Sequence, residues 1–186
     1  GGNGNNMVFF NITNNNPYDM NLTGVSTNTF GSGAITARLF YKTSPIAGNP
    51  GLINAANGWT TTGSPTNSTV TAGALNPVMT GLSLTIPSGA TYGIGLELSG
   101  ATFPAYTNGT GTLVTYTDNG CTITTDGNVG WGGPVAPGPP ANNPRNFNGT
   151  VYLSPANVTP CTSPGRTVTV TVNQPAAVTT QPVSSL

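Results

Sequence analysis

The sequence predicts an all-β fold: an antiparallel β-sandwich of jelly-roll or immunoglobulin-like type, with an extra C-terminal strand and a linker. Three observations lead there. Apolar residues come in short runs of strand length, several with period-two alternation. The runs are separated by Gly, Pro, Asn and Asp clusters that suit tight turns. The uncompensated charge that keeps Gly- and Pro-rich chains unfolded is missing, because 186 residues hold 26 Gly and 17 Pro but only four Lys or Arg against four Asp or Glu.

Taken in order, the predicted strands cover residues 7–12, 20–26, 34–41, 79–86, 92–98, 113–116, 121–124 and 148–153. Between them lie Asn14-Asn15-Asn16-Pro17, Gly31-Ser32-Gly33, Pro87-Ser88-Gly89 and Asp118-Asn119-Gly120, whose residues tolerate or pre-set turn dihedrals. In the fifth strand Tyr92, Ile94, Leu96 and Leu98 share the core face, and Gly93, Gly95 and Glu97 the other. Two glycines there leave a shallow strip, suited to a close loop crossing or, less simply, to a binding groove. Phe9, Leu39, Ile86, Ile94, Leu96 and Val151 are the expected core. Residues 51–57 lack alternation and suit one short helical turn. Residues 125–146 hold four prolines from Pro134 to Pro140, which lack ladder donors, so this stretch reads as a long surface loop and the first place to look for binding. Past Leu153 the texture becomes Pro-, Thr- and Asn-rich, and residues 167–172 alternate Thr and Val as one further strand. The organisation is thus a sandwich module over 1–153, then a linker plus one strand of a continuation over 154–186. The abrupt Gly-Gly-Asn-Gly start, with no signal peptide, reads as a mature form or an excised segment.

Composition narrows the chemistry. Without a basic surplus there is no face for nucleic acid and no polybasic patch for lipid headgroups. No run approaches the roughly 18 apolar residues of a membrane span, so direct membrane insertion is not expected. The chain has no His, which removes the commonest general base and metal ligand and leaves acid-base work to Asp19, Glu97, Asp118 and Asp126. Asp118 and Asp126 flank one short strand and are placed to converge as a glycosidase pair, but their Asn-Gly and Gly-Asn neighbours favour turn-shaping, and no catalytic residue or required cofactor is expected. A calcium site is the alternative, since Asp118, Asn119, Asp126 and Asn128 offer the hard oxygens such a cation takes. The flat rings of Trp131, Trp59 and Tyr106, in or near loops, are candidates for stacking on sugar; the competing role of each is to anchor its own loop. Arg38, Phe40 and Lys42 share a strand face, and Lys42 is expected to snorkel into solvent. Cys121 and Cys161, without CxxC spacing, are read as a disulfide, as two separate thiols, or as thiols with a partner elsewhere. Asn-x-Ser/Thr triplets at Asn11, Asn21, Asn67, Asn108, Asn148 and Asn157 follow from composition.

Four stretches, in order, carry a resemblance: GGNGNNMVFF over 1–10, ARLFYKT over 37–43, LTIPSGATYG over 84–93, and FNGTVY over 147–152. Together residues 1–153 resemble the β-sandwich modules of large secreted Bacteroidota proteins exported by the type IX system, gliding-motility adhesins among them. CTSPGRTVTVTV over 161–172 is similar to the closing strand of the immunoglobulin-like repeats that follow such modules. The resemblance implies an extracellular or cell-surface location, a multidomain parent and an adhesive or spacer role, and it carries over no site residue.

The expected function is therefore a non-enzymatic structural or adhesive repeat module of a multidomain bacterial surface protein, partnered by neighbouring domains of its parent chain. Two alternatives stand beside it. One is a carbohydrate-binding module that holds surface glycans through the loop aromatics. The other is a filament subunit that polymerises with like subunits by strand addition.

Overall fold

The computed structural model describes residues 3–156, and within them every strand pairing is antiparallel. The strands are β1 (Asn3–Gly4), β2 (Met7–Asn14), β3 (Met20–Asn28), β4 (Gly33–Lys42), β5 (Thr60–Val70), β6 (Leu75–Ile86), β7 (Thr91–Gly100), β8 (Ala105–Asn108), β9 (Val114–Asp118), β10 (Cys121–Thr125), β11 (Gly132–Gly133), β12 (Arg145–Phe147) and β13 (Gly149–Pro155). The helical turn expected over 51–57 is a single 3₁₀ turn, Ala55–Asn57. Asn54 caps it, its side-chain oxygen accepting from the Asn57 amide, the reason Asn favours such a position.

One layer is a large sheet ordered β5-β4-β7-β2-β10-β9, with β11 adding to β2 beyond the end of β10. The other holds β13-β3-β6, and β1-β8-β12 lies beyond it, joined through the Thr29–Pro104 bridge. Alternation explains the sandwich. Val8, Phe10 and Ile12 of β2, Ile35, Ala37 and Leu39 of β4, and Ile94, Leu96 and Leu98 of β7 all point inward, where they meet Leu22 and Val25 of β3 and Leu84 and Ile86 of β6. Phe10 stacks on Phe147 at 4.2 Å between centroids, which fastens β12 to β2.

The outward face of the large sheet is covered as well. Met7, Phe9 and Phe40 point out of the sandwich into a second core with Ile46, Ile53, Trp59 and Val129. Residues 43–59 and 126–140 supply the covering. Here the glycine strip of β7 shows its purpose: a Cβ on Gly95 would stand 2.8 Å from the Phe9 ring, and one on Gly93 2.8 Å from Ile46. The strip is a close crossing. The expected surface loop over 125–146 is corrected accordingly. Gly132 and Gly133 pair with Val8 and Met7, the Phe9 amide donates to the Trp131 carbonyl at 2.9 Å, and Val129, Gly130 and both glycines are buried. Of the expected core, Phe9 belongs to this second cluster and Val151 is only half-buried; the other four residues are fully buried in the first.

β2 defines two poles. At the first it starts, near the end of β7, where the Leu98 amide donates to the Asn6 carbonyl; at the second it ends at Asn14, beside the start of β3 and the end of β6. β13 finishes at the second pole, with Pro155 opposite Met20 and the Ala156 amide on the Asp19 carbonyl.

Candidate functional site

Only some of the expected site residues come together. Trp59 is 3% exposed, edge-on to Phe9 at 5.7 Å, with its indole N–H on the Pro50 carbonyl at 3.3 Å and the Lys42 ammonium 5.8 Å from its ring. Trp131 borders the same cluster and donates to the Asn128 carbonyl at 3.1 Å. Tyr106 sits on the other side of the large sheet, buried in the main core under the Arg145 guanidinium. The three rings therefore form no shared platform. Trp59 and Tyr106 are corrected from ligand contacts to packing anchors, because a ring without exposed surface cannot stack on a sugar. Trp131 alone keeps a half-exposed ring.

The calcium set is divided in the same way. Asp118 and Asn119 stand at the turn between β9 and β10, where Asn119 and Gly120 have φ of 47° and 71°, the left-handed pair of a two-residue type I′ hairpin loop. Asp126 and Asn128 follow the opposite end of β10. Five strand residues, roughly 16 Å, separate the pairs, so they do not converge as a metal site or as a glycosidase couple. Among the described residues no group of three or more His, Cys, Asp or Glu is close enough to hold a metal.

Each buried carboxylate is bound into the scaffold. Asp126 is 1% exposed at φ 63° and accepts from the amides of Thr110, Gly111 and Gly127 at 2.9, 3.0 and 2.6 Å and from the Asn146 side chain at 3.2 Å. Burial raises its proton affinity, but these four donors, amides first, outweigh that and hold the carboxyl below its ordinary value. Glu97 is fully buried; its Oε1 accepts from Arg38 Nε at 2.7 Å and its Oε2 from the Ala136 amide at 2.6 Å. Sequence reading missed this. Glu97 and Arg38 lie opposite each other on neighbouring strands, a pairing visible only once the register is known. Asn11, one of the triplet asparagines, is likewise structural, exchanging two hydrogen bonds with the Ile46 backbone.

Two hollows remain. A broad one of about 530 Å³ lies over Ala34, Thr36, Asn67, Thr69 and Gly100, with no charged side chain in its lining. The other, about 220 Å³, is a groove between the two layers along the side where both sheets end. Tyr116 and Asp118 of β9, Cys121 and Ile123 of β10, and Val151 and Leu153 of β13 line it. The opposite side of the sandwich is closed, since β5 and β6 are joined there by a short turn and pack together. Here the smaller sheet stops before it covers β9, leaving Tyr116 61% exposed and Ile123, Val151 and Leu153 only half-buried. Cys121 is buried at the groove wall, and that burial pushes its thiol pKa up; the Asn16 amide at 3.5 Å opposes the rise and Asp118 adds to it. The expected partner Cys161, the strand over 167–172 and the Asn157 triplet lie outside the described residues. Among those described, no helix is long and apolar enough to cross a membrane. No family model, curated protein or solved structure matches the chain.

Proposed function

We propose that this chain is a non-enzymatic structural module of a multidomain bacterial surface protein, holding its neighbours apart outside the cell. One observation carries the reading: the two buried carboxylates are spent on the scaffold itself, Glu97 on Arg38 and the Ala136 amide, Asp126 on the Thr110, Gly111 and Gly127 amides, and the candidate aromatics share no platform. The resemblance of residues 1–153 to type IX-exported modules supports it. A surface dressed in Thr and Asn suits such a place, because neutral hydrogen bonding keeps it hydrated whatever the salt.

Antibodies raised against the chain should label intact, unpermeabilised source cells; label that appears only after lysis rejects the surface placement. A glycan array separates spacing from sugar binding. A spacer gives no signal, whereas a signal abolished by Trp131→Ala replaces this reading with the carbohydrate-binding one.

A further inference from the structure

The open side of the sandwich is short of one strand, and the chain carries a segment of the right length and pattern. We propose that residues 167–172, beyond the described part, fold back into the groove between β9 and β13 as an added antiparallel strand, with Val168, Val170 and Val172 facing Ile123, Val151 and Leu153.

Direction comes first. β2 runs from the first pole to the second; β10 opposes it and β9 opposes β10, so β9 runs as β2 does, and β13 runs the same way. A segment returning from Ala156 at the second pole is antiparallel to both free edges. Length is sufficient. Ten residues lie between Ala156 and Thr167 and reach far beyond the width of the groove, and six strand residues span roughly 20 Å, matching the five of β9 and seven of β13.

Pattern is the third argument. Strict Thr/Val alternation gives one apolar and one polar face, and the groove offers apolar lining inside and water outside. Docking covers the half-buried Ile123, Val151 and Leu153 and pairs an edge that otherwise presents a row of free donors and acceptors. The connecting residues also pass the groove mouth, where Cys121 lies, and Cys161 is only five residues beyond Ala156.

Hydrogen exchange on the full chain reads the docking. Wild type should protect amides of β9 or β13, and the triple variant Val168→Asn, Val170→Asn, Val172→Asn should exchange about tenfold faster there with β2 and β7 unchanged. Thr169→Asn, on the outward face, should leave protection intact. Equal exchange in wild type and triple variant overturns the proposal, as does protection that depends on protein concentration, which assigns the strand to a second copy. Treatment with oxidised glutathione gives a covalent readout. Two protein thiols reduce one glutathione disulfide to two glutathione thiols, leaving a Cys121–Cys161 bond. That cross-linked peptide is expected after digestion of monomeric protein; separate glutathione adducts on the two cysteines, with no cross-link, contradict a segment passing the groove mouth.

Discussion

At the scale of single residues, the rarest side chains hold the covering segments in place. Glu97 ties the 126–140 segment to the large sheet through Ala136 while neutralising Arg38, whose side chain is 38% exposed. Removing the carboxylate leaves a buried amide without its acceptor, but Arg38 can turn toward water. Glu97→Ala is therefore expected to cost about 3 kcal/mol, the low end for breaking a buried pair. Glu97→Gln, which keeps an acceptor for Ala136, should recover part of it in urea melts; a loss under half of that for the alanine variant means the pair is not a fastening. Asp126 predicts a pH dependence. Its folded carboxyl is held below the value it has when unfolded, so its contribution is fully present above the unfolded pKa and disappears as pH falls through the folded one. Stability should thus decline in acid, below about pH 4, and Asp126→Asn should flatten that limb. An acid limb of the same steepness in the variant assigns the decline to other carboxylates.

At the scale of elements, what alternates was legible and what sits at an edge was not. The β7 pattern Tyr92, Ile94, Leu96, Leu98 marks a central strand with neighbours on both sides, and all four residues are buried. Leu96→Ala is expected to cost about 2 to 5 kcal/mol in denaturant melts, as core truncations do, and a cost under half a kcal/mol contradicts its place in the core. The eleven residues of β5 escaped notice because an edge strand wet on both faces needs no apolar period; only Val70 in it is buried, and Gly63 and Pro65 look like breakers. The sequence predicts β6 only from Met79 onward because Pro77 interrupts the pattern, yet β6 ends its sheet, where a proline is tolerated. The segment over 125–146 departs from the expected surface loop for a related reason. Its prolines do exclude a central strand, but two adjacent glycines need only two residues of β2 to pair with, a contact no periodicity reveals. The aromatics follow the same logic. A Trp in a loop is ambiguous until the loop's position is known, and Trp59 proves to be the keystone of the second core. Trp59→Ala should destabilise by about 3 to 5 kcal/mol, whereas Trp131→Ala, at the rim, should cost less than half as much; equal costs would mean the two rings are equally buried.

For the whole molecule, the scarcity of charge sets the response to solvent. With no His and eight charged side chains in balance, one pair of which is the Arg38–Glu97 contact, melting temperature should be nearly constant from about pH 5.5 to 8 and only weakly dependent on salt. A chelator should leave the melt unchanged, since Asp118 and Asp126 stand at opposite ends of β10; a fall in melting temperature on chelation would restore a metal to the account. The two-layer class was readable because it needs only strands, turns and two apolar faces. The outer covering and the open side were not, since both depend on which strands end a sheet. The lengthwise path of residues 5–156 has a mechanical corollary. Tension applied between residue 5 and Ala156 acts along the strands, so the ladder joining β13 to β3 is loaded in shear, its bonds sharing the force, rather than unzipped one at a time. A unit pulled between those two points behaves as a stiff link that resists by slow rupture.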